Sequence, residues 1–175
     1  MTPRNASRLL ASVGSGLVCS ASTALAADLT ATIEIPQINT AEYHRPYIAI
    51  WIEGPDRAVA ANVSVWYDVK MANKEGETWL KDVRQWWRKS GRELELPQDG
   101  LSGPTRPVGT HELKIPAALT AAFADGDYTL VVEASREVGG REVVRLPFQW
   151  SKTATIDATA RGERELGTVT LRHSK

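Results

Sequence analysis

Apolar and polar residues alternate with a period of two along much of this chain, and the alternation recurs between turn signals. In the segment 29–35, Leu29, Ala31, Ile33 and Ile35 share one face, while Thr30, Thr32 and Glu34 share the other. That is the mark of a half-buried strand, and Pro36 ends it. Residues 47–52 are apolar on both faces, with Ile48, Ile50 and Ile52 opposite Tyr47, Ala49 and Trp51. Such a run suits a central strand covered on both sides. Gly54-Pro55-Asp56 reads as a turn, and 59–67 alternates again through Val63, Val65 and Tyr67. Strand signals return at 111–115, 128–134, 143–148 and 166–171, and Gly139-Gly140 joins two of them as a hairpin. About seven strands separated by turns predict an all-β fold, a β-sandwich.

One segment breaks the period. Over 77–90, Trp79, Val83, Trp86 and Trp87 fall on one stripe with Leu80 beside it, and Lys81, Asp82, Arg84 and Arg88 fall elsewhere. This predicts an inserted amphipathic helix, with Trp79 and Val83 filling the core and Gly91 as its C-terminal cap. Adjacent helical residues point about 100° apart, so Trp86 and Trp87 cannot be equally buried. After the helix, 92–108 carries Pro97, Gly100, Gly103, Pro104 and Pro107. It is expected to be a long loop with little regular structure, and loops of that length are often functional. Gly126-Asp127-Tyr128 is similar to the tyrosine corner of immunoglobulin-like sandwiches. The expected fold is therefore an immunoglobulin/fibronectin-like β-sandwich with one inserted helix.

The start of the chain is expected to stand outside that fold. Arg4 and Arg8 precede a short apolar stretch, 9–18, and Ala24-Leu25-Ala26 supplies small residues for cleavage. This reads as a signal peptide, 1–26, and predicts a periplasmic protein with a single domain over 27–175. Cys19, the one cysteine, lies in that leader. The remainder, about 150 residues, is one domain's worth of chain and has no disulfide or thiolate chemistry open to it. Lys+Arg 21 balance Asp+Glu 21, which argues against a nucleic-acid binder.

The long loop holds the motif with the most chemistry. Asp99-Gly100-Leu101-Ser102-Gly103-Pro104-Thr105 resembles the acceptor motif of periplasmic flavin transferases, of the form D-x-x-[ST]-G-[AS]-[ST]. In those substrates the last hydroxyl receives FMN from FAD through a phosphoester. The resemblance makes Thr105 the FMN-bearing residue and Asp99, Ser102 and Gly103 the recognition elements. Pro104 departs from the usual Ala or Ser. Arg92 or Arg106 is placed to pair with a tethered phosphate, and Trp86 or Trp87 to offer a flat ring a stacking face.

The resemblance reaches beyond the motif. The segments 41–47 (AEYHRPY), 65–68 (VWYD), 79–87 (WLKDVRQWW) and 146–150 (LPFQW) are similar to a family of predicted periplasmic proteins, domain-of-unknown-function family 2271. Members of that family often occur beside a flavin transferase and a PepSY-type membrane reductase. The implied role is a covalent-FMN electron carrier, with those two proteins as partners, relaying electrons between the membrane reductase and an extracytoplasmic acceptor.

Other candidates carry less. His44, His111 and His173 have no ligand-like spacing. Residues 42–45 (Glu-Tyr-His-Arg) read either as a polar patch at the mouth of a site or as an ordinary loop leading into a strand. Arg84, Arg88, Lys89 and Arg92 make the helix locally basic, a solvated face or a greeting for a phosphate. No nucleophile elbow, phosphate loop or paired catalytic carboxylate is present. The competing function is a non-redox periplasmic binding or assembly module.

Overall fold

The alternating segments form strands because each can bury one face. In a computed structural model, which describes residues 28–173, strand β1 (Leu29–Ile35) buries Leu29, Ala31, Ile33 and Ile35 and leaves the three residues between them half-buried. The predicted leader and Cys19 lie outside the described residues. β1 is flanked by β5 (Gly109–Ile115) and β9 (Thr168–His173), and β8 (Asp157–Arg161) pairs with β9. These make a four-stranded antiparallel sheet of order β5-β1-β9-β8.

The second sheet has five strands in the order β4-β3-β2-β6-β7. Its members are β2 (Tyr47–Glu53), β3 (Val59–Tyr67), β4 (Ser102–Pro104), β6 (Gly126–Ser135) and β7 (Arg141–Trp150). All pairings are antiparallel except β3 with β4, which is parallel. Gly139-Gly140 stands in the β6–β7 hairpin, as expected. The facing sides of the two sheets share one apolar core, from Leu29, Ile33 and Leu171 on one side to Ile50, Trp66 and Leu130 on the other. Tyr128 Oη donates to the Ala124 carbonyl, four residues back along the chain, at 3.1 Å.

The outer face of the five-stranded sheet has its own core. Ala49, Trp51, Val65, Tyr67 and Val131 pack under Leu80, Val83, Trp86, Leu96 and Leu101. β2 is thus buried on both faces, as its continuous apolar run requires. The cover is not the single helix expected over 77–90. It is a chain of short pieces: α1 (Glu75–Thr78), a 3-10 turn (Trp79–Asp82), α2 (Arg84–Lys89) and a second 3-10 turn (Gly91–Glu93). Val83, at φ −78° and ψ +72°, breaks the helix between them.

Several expectations are corrected by this. A 3-10 turn advances about 120° per residue rather than 100°, so the predicted stripe does not stay on one face. Val83 and Leu80 are buried, but Trp79 is 45% exposed. Ser90, not Gly91, caps α2. Gly91 is required for a different reason: a Cβ there would stand 2.6 Å from the Trp86 ring. Two strands escaped the sequence reading, β4 and β8, as did the short helix α3 (Ala117–Thr120). β4 lies inside the segment expected to lack regular structure. No helix among the described residues is long and apolar enough to cross a membrane.

Candidate functional site

The acceptor-like motif begins in a tight turn and ends in a strand. Leu101 and Ser102 both donate their backbone N–H to the Gln98 carbonyl, at 3.2 and 2.8 Å. Gln98 N–H donates in return to Ser102 Oγ at 3.0 Å. Gly100 occupies the turn with φ +77°, a conformation that favours glycine. Gly103, by contrast, lies in the extended strand β4. Asp99 is exposed at the tip of this turn.

Beyond the turn the chain runs parallel to β3. Val65 N–H donates to the Leu101 carbonyl at 2.8 Å, and Thr105 N–H donates to the Tyr67 carbonyl at 3.1 Å. Leu101 and Thr105 bracket β4, and Pro104, which has no N–H to donate, lies between them. An edge strand needs no N–H at such a position, and proline is accommodated there. The motif thus ends in a pinned edge strand, where the sequence predicted a loop with little regular structure. Thr105 is half-buried, and its hydroxyl has no hydrogen-bond partner among the described residues.

Thr105 opens onto a cleft of about 930 Å³. The sheet registers explain how this cleft is assembled. Tyr47 pairs with Ser135, Ser135 with Arg141, Ile48 with Trp66 and Tyr67 with Pro104. The starts of β2 and β7 and the ends of β3, β4 and β6 therefore meet at one end of the five-stranded sheet. The β6–β7 hairpin and the helical pieces build up the sides. Arg45, Tyr47, Met71, Trp79 and Arg84 line the cleft with Thr105, as do Arg136 to Arg141 of the hairpin.

The charged groups of the cleft divide into paired and unpaired. Arg141 Nη1 donates to Glu133 at 2.9 Å, and Arg136 is held by Glu165 at 2.8 Å. His44 lies 3.0 Å from Glu42 and 3.5 Å from Glu137. Arg45 and Arg84 make no ion pair among the described residues. Burial raises the Tyr47 phenol above its ordinary pKa and keeps it neutral. The lining thus offers two guanidinium groups without an ion pair, two exposed or half-exposed aromatic rings and the Thr105 hydroxyl.

The sequence-predicted site residues are only partly brought together. Thr105, Ser102, Gly103 and Asp99 are contiguous by construction, with Thr105 at the cleft. Arg106 stacks its guanidinium 5.4 Å from the Trp66 ring centre and does not line the cleft. Arg92 pairs with Glu93 at 3.8 Å. Trp86 has 0% exposure and donates its Nε1–H to Asn62 Oδ1 at 2.8 Å. It has no free face on which a flavin ring could stack, contrary to the expectation from the sequence. Trp87 is half-buried and lines a separate, smaller depression with Lys81 and Arg88.

The residues that replace them were partly visible. Arg45 and His44 belong to the polar stretch 42–45 read as a possible site mouth, and both line the cleft. Arg84 belongs to the basic cluster of the predicted helix. Trp79, Met71 and Val138 were not found, and the signal that could have found Trp79 was hidden by the helix break at Val83.

The comparisons place the chain in a family. The model of the family described as "Predicted periplasmic protein (DUF2271)" matches residues 28–168, and the chain belongs to that family. No curated protein and no solved structure matches it.

Proposed function

With that membership as premise, we propose that this chain is an exported electron carrier bearing FMN in phosphoester linkage on Thr105. It relays electrons between a PepSY-type membrane reductase and an extracytoplasmic acceptor. The observation that carries this reading is the position of Thr105: the last hydroxyl of an acceptor-like motif, without a protein partner among the described residues, at a cleft of about 930 Å³. Neither family membership nor the fold names a cofactor; the motif and the cleft are what support one.

The residues present fit the group. Sites for drug-sized ligands enclose about 300–1,000 Å³, and this cleft falls in that range. A planar aromatic ring finds Trp79 and Tyr47, and a phosphate finds Arg45 and Arg84. In the attachment step, Thr105 Oγ1 attacks the FMN phosphorus of FAD inside the transferase. One Oγ1–P bond forms, the pyrophosphate P–O bond breaks, AMP leaves and the hydroxyl proton passes to a base of the transferase. Asp99, exposed on its turn, and Ser102 and Gly103 of the edge strand present the hydroxyl to that enzyme. When bound, the flavin supplies the electron-accepting chemistry that no side chain of this protein has. The fold extends the reading: two sheets with a shared core and the Tyr128–Ala124 bond support an immunoglobulin/fibronectin-like sandwich as the scaffold.

Co-expression with a periplasmic flavin transferase tests this, read by intact mass. A gain of one FMN less a water, lost in Thr105→Ala, is expected. An unmodified chain beside an active transferase overturns the proposal and leaves a non-redox binding or assembly module.

A further inference from the structure

We propose that the flavin ring is seated in the cleft against the Trp79 indole, with Arg84 and Arg45 facing its phosphate, rather than swinging free on the strand end. This rests on the reading of Thr105 as the flavin-bearing residue. Four large apolar side chains are exposed among the described residues: Met71, Trp79, Leu119 and Val138. Three of them, Met71 at 40%, Trp79 at 45% and Val138 at 78% exposure, line the Thr105 cleft. They come from three separate parts of the chain, the turn after β3, the helical excursion and the β6–β7 hairpin. Scattered apolar exposure needs no explanation, but concentration around one concave site marks a place that something covers.

The chemistry of the covering group follows from the lining. Trp79 lines the cleft at 45% exposure, so part of its indole is open to a planar partner, and the Lys81 ammonium stands 5.5 Å from its ring centre. Offset stacking of aromatic rings contributes about 0.5–1.5 kcal/mol beyond the buried area. Arg84 and Arg45 make no ion pair among the described residues, so an anionic group enters without first breaking one. A flat aromatic ring with a phosphate at one end satisfies both features, and the phosphate position is set by the ester to Thr105. Stacking on an indole also gives a spectroscopic signature, because tryptophan in contact with a flavin quenches its fluorescence.

The test uses the intact chain loaded by co-expression. Wild-type protein should show weak flavin fluorescence and high anisotropy. Trp79→Ala should keep the full mass adduct, raise the fluorescence several-fold and lower the anisotropy. Trp79→Phe, which retains a ring, should keep the high anisotropy with intermediate quenching, and Trp87→Phe should change neither. Adduct present with Trp79→Ala indistinguishable from wild type overturns the seat while leaving Thr105 as the attachment point. Absence of an adduct in the wild type overturns the attachment itself, and the seat with it.

Discussion

Trp86 and Trp79 stand on the same helical excursion but differ in burial, and that difference sets opposite expectations. Trp86 is fully buried, bonded to Asn62 and covered on one side by Gly91. Trp86→Ala should cost about 3–5 kcal/mol in urea unfolding of the unmodified protein. Gly91→Ala should cost about 1–3 kcal/mol, because its methyl group would press into the same ring. Trp79→Ala should stay within about 0.5 kcal/mol, as for other surface changes. A large loss for Trp79 would put it in the core and end its assignment to the site. The sequence could say that Trp86 and Trp87 point in different directions, but not which one turns inward. That choice is made by the Asn62 amide on β3, a partner 24 residues away. The motif around Thr105, by contrast, is local and can be read without folding, whereas the place of its hydroxyl at the cleft depends on the pairing of β4 with β3.

At the scale of elements, the helical cover is fixed to the sheet by one buried acid. Glu133 of β6 is 0% exposed. Its carboxylate accepts from the backbone N–H of Gln85, at 2.9 Å, and of Trp86, at 2.9 Å, at the start of α2, and from Arg141. Val83 ends the preceding 3-10 turn, and the next helix starts on this carboxylate. The amino end of a helix is where a negative charge is favoured. This is why the predicted single helix is absent: the break lets two N–H groups reach Glu133. A lone acid in the apolar run Leu130-Val131-Val132-Glu133-Ala134 was a visible signal, but its partner was not. Glu133→Ala should destabilise the protein by about 3–5 kcal/mol, since it leaves buried N–H groups and Arg141 without their acceptor. Near-ultraviolet circular dichroism should report the Trp86 environment loosening, and an unchanged spectrum would show that the cover does not depend on Glu133. β4 teaches the same lesson on the other edge. Its three residues were read as loop because Gly and Pro dominate them, and only the parallel pairing with β3, 37 positions away for Val65 and Ser102, makes them a strand.

Across the whole molecule, the two sheets share their core through residues whose alternation was plain in the sequence, so the layered β architecture was legible. The polar ties between the layers were not, because each joins side chains to distant backbone. Glu142 on β7 is the fullest case. Its carboxylate accepts four successive backbone N–H groups, those of Glu163, Arg164, Glu165 and Leu166, at 2.6–3.0 Å. Glu34 on β1 accepts the Thr168 N–H at 2.7 Å, so the same β8–β9 connection is held from both sheets. Burial pulls the Glu142 pKa upward, but the four N–H donors outweigh it and hold the group below its ordinary 4.5. Glu34 is lowered as well, chiefly by the Thr168 backbone N–H. A carboxylate lowered in the native state binds fewer protons there than in the unfolded chain. Its contribution is complete above about pH 4.5 and is lost as the pH falls through the native value. Glu142→Gln should therefore cost about 1–3 kcal/mol at neutral pH, and the gap from wild type should narrow as the pH falls below 4.5 and through the lowered native value. Urea unfolding at a series of pH values checks this: two curves that stay parallel from neutral pH into acid would mean that the carboxylate charge does not join the sheets.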